Sequence, residues 1–535
     1  MSAAAAKGDF FTSEDAAWKP RHNPWAVAMT VTLATFMEVL DTSVANVALP
    51  HIAGNLSVSQ EESTWVLSCY LVANAIVLPI SGWLSTKFGR KRFYMTCVAL
   101  FTASSFLCGI APTLGSLLFF RCLQGLAGGG LGPSEQAILA DTFPPEKRGM
   151  AFAMYGMAVV LAPAVGPTLG GYITDHSTWR WIFFINVPVG LLSLFLSQRM
   201  VEDPPYLKRL REKAGSIDWL GLVLVAVGLG CLEVVLDKGQ EDDWFHSPFI
   251  CVFAAIAAVA LISFVLWEWH AEHPVVDLRL FKTRNFATAN LMMLVLGAAL
   301  FGTTVLLPQY LQTVMGYTAE RAGNALSLGA MVIIVMMPLV GMTVSKVDPR
   351  WMVAFGFTAL SLSLFYMTRH LYPGIDFATA AKLRIFQSLG LAFLFVPINT
   401  LVYVGVPREK NNQVSGIVNL SRNVGGDIGI ALVITLIFRR AQFHQNRLVS
   451  HVTQTNVLFG ERFRRMVGAL ESSGASPPQA SRQAMRGLYG MVQQQAATLA
   501  YLDAIHVFAL ICLCMAPLVF LMKKPAKDGA APMGH

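Results

Sequence analysis

Two carboxylates stand one helical turn apart in an otherwise apolar segment near the start of the chain. The segment reads ATFMEVLDTSVANVALP over residues 34–50 and contains Glu38 and Asp41. An ionised carboxylate near the middle of a bilayer costs several kcal/mol, about 2.5–3.5 for Asp on insertion scales. Such a group is retained when it faces a cavity, contacts a partner or holds a proton. The pair therefore indicates a site that takes up and releases protons.

Helical spacing places these acids on one face with further polar groups. At about 100° per residue, Glu38, Asp41 and Thr42 share a face, and Asn46 lies at its margin. Either acid could carry the proton, and Glu38 could alternatively contact cationic substrates. The alternative is a structural polar pair that is satisfied within a helix bundle.

The composition predicts a chain that is embedded in lipid. Of the 535 residues, 54% are hydrophobic and 13% are charged, whereas soluble domains are about a quarter charged. The net charge of +8 would suggest nucleic-acid binding in a soluble protein, but here basic loops on one membrane face explain it better. The eight cysteines lie almost wholly in apolar runs, which argues against a disulfide framework or a zinc site.

Apolar runs of roughly 20 residues, separated by charged or turn-rich joints, predict fourteen spanning helices. They begin near residues 26, 64, 93, 115, 149, 181, 218, 249, 286, 322, 351, 379, 413 and 501. Helices are expected rather than barrel strands because the runs are long and lipid requires internal backbone pairing. The fold class is therefore an all-α membrane protein.

Lysine and arginine are concentrated in the joints that follow even-numbered spans. These joints are residues 87–92, 144–149, 206–213, 277–285, 345–350, 407–410 and 523–527. The positive-inside rule places them in the cytoplasm, together with both chain termini. Residues 1–24, which are polar and mixed in charge, are then a cytoplasmic tail and not a signal peptide. The arginine-rich stretch 441–500 conflicts with this rule, but long loops cross the membrane largely regardless of charge.

A repeat relates the two halves of the sequence. RCLQG (121–125) aligns with RIFQS (384–388), so that Arg121 matches Arg384 and Gln124 matches Gln387 at an offset of 263 residues. The repeat predicts a tail (1–24), a six-helix bundle (25–200), a two-helix insertion with flanking loops (201–284), a second six-helix bundle (285–522) and a tail (523–535). Parallel halves of this kind are typical of secondary transporters, whose site lies between them. Position 41 maps near residues 300–304, where no acid is present, and an acid in one half alone suits a specialised task.

Several motifs resemble those of a known family. They are LDTSVANVALP (40–50), GWLSTKFGRKR (82–92), LLFFRCLQG (117–125), APAVGPTLGG (162–171), WRWIFFINVPVG (179–190), FKTRNF (281–286) and SRNVGGDIG (421–429). With them, nearly the whole chain resembles the major facilitator superfamily, specifically its fourteen-span drug:proton antiporters of the EmrB type. The resemblance implies a proton-driven multidrug exporter of the inner membrane that needs no cofactor. It also implies a periplasmic membrane-fusion adaptor of the EmrA type and an outer-membrane channel as partners.

The resemblance also implies roles for individual residues. Asp41 is the acid that recurs in the family, so we expect it to carry the proton, with Glu38, which relatives often lack, as a second carrier or as the contact for cationic substrates. Arg121 would act on the proton-carrying acid, the alternative being a fixed brace to backbone carbonyls, and for Arg384 we favour the brace. The APAVGPTLGG motif would hinge and seal the two halves, and a generic packing role for its small residues is the alternative. Its residues are Pro163, Gly166, Pro167, Gly170 and Gly171.

The GWLSTKFGRKR motif would form a cytoplasmic gate loop. The residues expected there are Gly82, Gly89, Arg90 and Lys91. The fifth position of this motif is usually Asp in the family, but here it is Thr86, which puts the usual latch of the loop in doubt.

Other polar groups within the apolar runs are candidates for a substrate cavity, although each is individually more common as a satisfied bundle residue. Besides Thr42 and Asn46, they are Asn74, Gln124, Glu135, Gln136, Glu233, Asn290, Gln309, Gln387, Asn399 and Asp503. Asp427 stands five residues after Arg422, and we expect a local ion pair between them.

Helical spacing from about residue 478 predicts a helix that runs from the outer side into the last span. This projecting element would dock the adaptor or form a solvated cap.

Taken together, the sequence predicts a proton-coupled exporter of hydrophobic, chemically diverse compounds. A dedicated transporter of one metabolite, siderophore or lipid is the main alternative. An intramembrane enzyme that uses Glu38 and Asp41 is remote, because no nucleophile–base set accompanies them, and a non-transporting sensor is a further alternative. The lack of a GxxxxGK[ST] motif argues against an ATP-driven pump.

Overall fold

The computed structural model describes residues 18, 20–213, 218–272, 274–453 and 456–523, most of which are helical. The predicted cytoplasmic tails lie mostly outside these described residues. The helices of the first part of the chain are α1 (Pro24–Leu56), α2 (Gln60–Phe88), α3 (Arg90–Gly109), α4 (Leu114–Gly128), α5 (Leu131–Thr142), α6 (Pro145–His176), α7 (Trp181–Phe184), α8 (Asn186–Met200) and α9 (Pro205–Lys213). Those that follow are α10 (Trp219–Lys238), α11 (Pro248–His270), α12 (Arg284–Thr313), α13 (Ala319–Thr343), α14 (Pro349–His370), α15 (Phe377–Val402), α16 (Asn411–Val449), α17 (Val457–Ser472) and α18 (Pro477–Leu518).

Within the described ranges, 12 helical segments are long and apolar enough to cross a membrane. Helices α4 and α5 together form one of them, as do α7 and α8. The two remaining predicted spans, near residues 93 and 413, coincide with α3 and α16, which are less apolar. Helix α3 begins with RKR, and α16 begins with NNQ and carries both Arg422 and Asp427. The all-helical class is confirmed, and the count of fourteen spans stays a prediction.

The predicted basic joints come together at one end of the helix bundle, which we call the basic end. Arg90, at the start of α3, forms an ion pair with Asp141 near the end of α5, with 2.6 Å between Nη1 and Oδ2. Lys410 forms a second pair with Asp277, at 2.5 Å. These contacts join segments that are far apart in the sequence, so the basic end is a single polar surface.

The first and second parts of the chain also pack closely at the basic end. A Cβ added at Gly82 of α2 would lie 2.6 Å from the backbone oxygen of Asn412 in α16. A Cβ at Gly149 of α6 would lie 2.1 Å from a methyl group of Val344, just after α13. Only glycine allows backbones to approach so closely. The basic end is therefore closed in this conformation.

The α10–α11 insertion lies at the side of the bundle. Helix α10 packs against α2 and α11 and contacts α16, whereas only 22% of the most apolar window of α11 is buried. Its exposed apolar side chains suit contact with lipid, and they include Val259 and Ile262.

The helix predicted from about residue 478 is confirmed as α18, which has 42 residues. At 1.5 Å per residue it is about 63 Å long, roughly twice the thickness of a bilayer core. Helix α17 packs against α18, where a Cβ added at Gly487 would lie 2.8 Å from the Met466 methyl group. The predicted outer stretch 441–500 is thus largely helical.

Candidate functional site

Asp41 of α1 is surrounded by hydrogen-bond donors from α4 and α8. Arg121 Nη1 lies 2.6 Å from Asp41 Oδ2, and Gln124 Nε2 donates to Oδ1 at 3.0 Å. Asn186 Nδ2 donates to Oδ1 at 2.6 Å. Asp41 is 2% exposed and Arg121 is fully buried. A cation and two amides thus satisfy both oxygens of the Asp41 carboxylate in this conformation.

Arg121 contacts more than the acid. Its Nε donates to the Val66 carbonyl at 3.0 Å, and its guanidinium lies 4.4 Å from the centre of the Tyr70 ring. Its Nη2 is buried without a hydrogen-bond partner within the described residues. The two roles considered for Arg121, partner of the acid and brace to a backbone carbonyl, are thus combined in one side chain.

Glu38 faces α2 and not the arginine. Tyr70 donates its hydroxyl to Glu38 Oε1 at 3.0 Å, and Asn74 Nδ2 donates to the same oxygen at 3.2 Å. Tyr70 lies between the two acids of α1, since its ring contacts Arg121 while its hydroxyl contacts Glu38. The two acids therefore have different surroundings, one with a cation and the other with neutral donors.

Glu135 of α5 is a third buried acid of this region. It is fully buried, and Thr32 donates to its Oε1 at 2.6 Å. Its Oε2 has no hydrogen-bond partner among the described residues. Glu38 and Arg422 are near enough to act on it electrostatically. The sequence candidates Glu38, Asn74 and Glu135 are thus brought into one polar region.

A polar network connects the two parts of the chain. Gln136 Nε2 donates to Asn399 Oδ1 at 2.9 Å, and Asn419 Nδ2 donates to Gln136 Oε1 at 2.9 Å. Tyr155 donates to Asn419 at 2.7 Å and accepts from Arg422 Nη1 at 2.8 Å. Helices α5 and α6 are joined in this way to α15 and α16.

The predicted gate-loop residues lie at the basic end. Arg90 Nε donates to Asn412 Oδ1 at 2.7 Å in addition to its ion pair with Asp141. Asn412 Nδ2 in turn donates to Thr86 Oγ1 at 3.3 Å. Lys91 donates from Nζ to the Gln198 carbonyl at 2.7 Å. Thr86, which replaces the usual Asp, therefore makes a neutral contact across the junction.

The APAVGPTLGG segment lies within α6, which continues through both of its prolines. A Cβ added at Gly166 would lie 2.3 Å from Ser43 Oγ, and one at Gly170 would lie 3.1 Å from the Val44 carbonyl oxygen. These glycines permit close packing of α6 on α1. Gly171 makes no such contact, because no other element of the described residues lies within 4 Å of its Cβ position.

Two expectations were wrong. Arg422 does not pair with Asp427, because five residues span about 500° of helix and the two side chains point in different directions. Asp427 instead contacts Glu233 of α10. Arg384 is not a brace to backbone carbonyls, since it donates to the side chains of Gln387 and Thr304.

The remaining candidates do not join the region around Asp41. Asn290 donates to the Phe286 carbonyl of its own helix at 2.8 Å, and Thr42 contacts the carbonyl of Glu38 at 3.4 Å. Asn46 is exposed. Gln309 has a buried Oε1 without a hydrogen-bond partner in the described parts of the chain.

Asp503 also lies elsewhere, in α18, where it pairs with Arg440 and His444 of α16 at 2.5 and 2.7 Å. Asn186, Tyr70, Tyr155 and Asn419 belong to the polar region but were not singled out from the sequence. Asn186 stands within the family motif WRWIFFINVPVG, which was the available signal for it.

Comparison with known proteins agrees with this architecture. Residues 31–430 match the sequence profile of the Major Facilitator Superfamily. Multidrug export protein EmrB of Escherichia coli strain K12 is 37% identical over 465 residues, which cover 86% of this chain and 89% of EmrB. Fatty acid resistance protein FarB of Neisseria gonorrhoeae is 35% identical, over 95% of this chain and 97% of FarB. The structure of the proton:xylose symporter XylE superposes with a TM-score of 0.56 at 14% identity, over 89% of this chain and 94% of XylE, which supports the fold alone.

Proposed function

The chain belongs to the major facilitator superfamily, and from this premise we propose that it is a proton-coupled multidrug efflux antiporter. It exports hydrophobic, chemically diverse compounds across the bacterial inner membrane. Multidrug efflux is supported by EmrB-type relatives that match most of the chain. Coupling to protons is supported by one observation above all, the buried ion pair between Asp41 and Arg121.

In the proposed cycle, Asp41 alternates between an ionised and a protonated form. Arg121, Gln124 and Asn186, which contact Asp41, stabilise the ionised form in this proposal. Protonation removes the charge that holds Arg121, so the helices that carry the two groups can separate. Movement of α4 relative to α1 then turns the site toward the other side of the membrane.

Glu38 and Glu135 lie on the side of α1 that faces the polar network between the two parts of the chain. We assign them to the recognition of cationic substrates, with Glu38 as a second proton carrier. Both have neutral hydrogen-bond donors as partners. A bound cation would therefore supply the positive counter-charge that the partners of these carboxylates do not provide. Oε2 of Glu135 is buried without a hydrogen-bond partner among the described residues, and this favours the assignment.

The topology that goes with this function has fourteen spans and both termini in the cytoplasm. The basic end is then the cytoplasmic face. Two six-helix bundles, 25–200 and 285–522, rock about the site between them, and the insertion 201–284 flanks them. The segment from Gly82 to Lys91, where α2 ends and α3 begins, acts as the cytoplasmic gate. The prolines and glycines of α6 act as the hinge.

The energy source is the proton gradient and membrane potential. One elementary charge that crosses 100 mV releases about 2.3 kcal/mol. This is sufficient for a concentration ratio of roughly fortyfold for a neutral substrate. No bound cofactor is required for this coupling.

The proposed partners are a periplasmic adaptor of the EmrA type and an outer-membrane channel. Helices α17 and α18 support this proposal, because they project beyond the membrane-spanning part of the chain. In this arrangement the substrate leaves the bundle at the end opposite the basic end and enters the adaptor.

Reconstituted transport tests the proposed function. In liposomes that contain the purified protein, an imposed pH gradient should drive ethidium transport by the wild type but not by the Asp41→Asn variant. Glu38→Gln should weaken ethidium transport while a pH gradient still drives a neutral substrate. Asp175→Asn is the matched control, since Asp175 is an exposed acid. Full gradient-driven transport by Asp41→Asn would reject the proton-coupling proposal.

The second candidate is a dedicated transporter of one metabolite, siderophore or lipid on the same fold. Competition separates the two functions. Several unrelated hydrophobic compounds should each inhibit ethidium transport if the protein is a multidrug exporter. Inhibition by a single compound class would favour the dedicated transporter.

A further inference from the structure

Arg384 of α15 is a buried cation without a counter-ion. Its side chain is 4% exposed, and no carboxylate lies within ion-pair distance of it among the described residues. Its Nη1 donates to Gln387 Oε1 at 2.8 Å, and its Nη2 donates to Thr304 Oγ1 at 3.2 Å. Burial of a charge at membrane depth without a compensating charge is costly. A cation retained under these conditions points to an anion that is bound at some stage of the protein's activity.

The sequence repeat shows how this situation arises. Arg121 holds Gln124 through the same pair of atoms, Nη1 to Oε1, at 2.9 Å, but it also pairs with Asp41. The residue that corresponds to Asp41 at the offset of 263 is Thr304. The second part of the chain has thus kept the arginine and the glutamine while a neutral hydroxyl stands in place of the acid.

Three polar atoms of Arg384 and two nearby residues are buried and lack hydrogen-bond partners within the described residues. They are Nε of Arg384, Nε2 of Gln387 and Oγ of Ser388. An arginine nitrogen and an amide nitrogen are donors, and a hydroxyl can also donate. Since most buried polar groups in proteins are paired, three unpaired donors in one place indicate an acceptor that is supplied from outside the chain.

Gly329 of α13 packs closely against two of these atoms. A Cβ at position 329 would lie 2.5 Å from Ser388 Oγ and 3.2 Å from Arg384 Nε. The glycine therefore lets α13 approach both atoms without giving them a hydrogen-bond partner.

A cavity between the two parts of the chain opens onto Arg384. In this conformation the cavity is small, with a volume of about 10 Å³, which is room for about one water molecule, so a larger ligand can enter only when the cavity widens. Its walls are apolar apart from Arg384 and Thr304. They are formed by Val159, Val160, Pro163 and Ala164 of α6, by Leu300 and Phe301 of α12 and by Leu326 of α13. Because α6 lies on one side and α12 and α13 on the other, movement of the two parts changes the width of this cavity.

We propose that Arg384, Gln387 and Ser388 form a binding site for the anionic group of an amphipathic substrate, such as an aromatic or aliphatic carboxylate. The carboxylate accepts hydrogen bonds from the guanidinium, the amide and the hydroxyl. The apolar body of the substrate lies against Val160 and Phe301. This site deepens the proposed efflux function, on which it rests, by adding anions to the substrates that the acidic region around Glu38 recognises.

The affinities of two probe molecules for the protein in lipid nanodiscs test the proposal. The probes are 2-naphthoate and 2-naphthylmethanol, which share an aromatic body and differ in charge, and titration calorimetry gives their affinities. Wild type should bind the carboxylate at least about tenfold more tightly than the alcohol. Arg384→Met should remove this preference and leave the affinity for the alcohol unchanged, which also shows that the variant is folded. Arg384→Lys should keep part of the preference.

Two further variants sharpen the result. Ser388→Ala should reduce the preference for the carboxylate by a smaller factor, about threefold. Arg369→Gln is the matched control, because Arg369 is an exposed arginine outside the cavity, and it should behave as wild type. Equal affinities of wild type for both probes, or a preference that survives Arg384→Met, would overturn the site. Ethidium transport driven by a pH gradient is measured on the same preparations, so that failure of the efflux function is distinguished from failure of this site.

Discussion

Gln136 and Asn399 are equivalent positions of the sequence repeat, and their side chains form a hydrogen bond of 2.9 Å with each other. Two residues that are related by an approximate twofold axis can touch only if they lie close to that axis. The contact therefore marks where the two parts of the chain meet at the centre of the molecule. Both side chains are buried, at 1% and 0% exposure, so this polar contact is shielded from water.

Loss of the central contact should favour the conformation in which the basic end is open. Asn399→Leu removes the acceptor for Gln136, and hydrogen bonds between membrane helices contribute about 0.6 to 2 kcal/mol. We expect the population of the open state to rise by about three- to thirtyfold. Hydrogen–deuterium exchange should show faster exchange in the first turns of α16.

Asn290→Leu is the control for this measurement, since Asn290 bonds to its own helix and to Ser421 and does not contact Gln136. Unchanged exchange at the start of α16 in Asn399→Leu would show that the central contact does not hold the basic end closed.

The geometry of Arg121 predicts a graded response to substitution. Arg121→Met leaves Asp41 buried without its cation, so the contact that couples the acid to helix movement is broken and gradient-driven transport should be lost. Arg121→Lys retains the charge but not the simultaneous contacts to Val66 and Gln124, and should keep partial activity. Substrate exchange without a gradient, measured in the same liposomes, should persist in both variants. Loss of exchange together with gradient-driven transport would indicate a purely structural role.

The overall architecture followed from the sequence because apolar run length and the placement of basic joints are local properties. The helices that begin near residues 26 and 64 were found in this way, and so was the extension of α18. The partners of Asp41 were predicted less completely. Arg121 was identified from its residue type and motif, whereas Asn186 lies 145 residues from Asp41, and nothing local in the sequence indicates that the two side chains meet.

Proximity in sequence was misleading where the helix direction mattered. Arg422 and Asp427 are close in the sequence, which suggested an ion pair. The helix directs the two side chains to different sides, and Arg422 donates a hydrogen bond to Tyr155 instead. Arg384 was expected to be a brace to backbone carbonyls. The missing acid at position 304 was visible in the sequence, but only the packing showed that no other carboxylate among the described residues takes its place.

The Arg90–Asp141 pair should behave as a coupled unit at the basic end. The side chains of both partners are almost fully buried, at 2% and 5% exposure, so removal of either one leaves a buried charge uncompensated, at a cost of about 3–5 kcal/mol. Arg90→Met and Asp141→Leu should each lower the melting temperature strongly. The double variant should lose less stability than the sum of the two single losses. Additive losses, measured by thermal unfolding in detergent, would show that the two side chains act independently.

Close packing of α6 on α1 makes Gly166 sensitive to any added side chain. Gly166→Val places methyl groups against Ser43, and overpacking of this kind costs about 1–3 kcal/mol. We expect a lower melting temperature and reduced transport. Gly171→Val should have little effect on stability, because its Cβ position is open. Equal destabilisation by both substitutions would contradict the assigned packing.

The exposed start of α17 should contact the adaptor. Val457 and Leu458 are 69% and 77% exposed, and exposed apolar side chains beyond the membrane favour a protein partner. Val457→Asp combined with Leu458→Asp should reduce co-purification with an EmrA-type adaptor by at least about tenfold. Transport by the isolated protein in liposomes should remain at the wild-type level, because α17 lies outside the membrane-spanning bundle.

Phe245→Asp provides the control for this last measurement. Phe245 is 67% exposed and lies in the joint between α10 and α11, at the same end of the bundle as α17. It therefore tests whether any acidic substitution at that end weakens binding of the adaptor. Loss of co-purification in Phe245→Asp alone would move the docking site to the insertion. Loss in neither variant would leave α17 as a cap without a partner, since the adaptor would then bind without either exposed apolar surface.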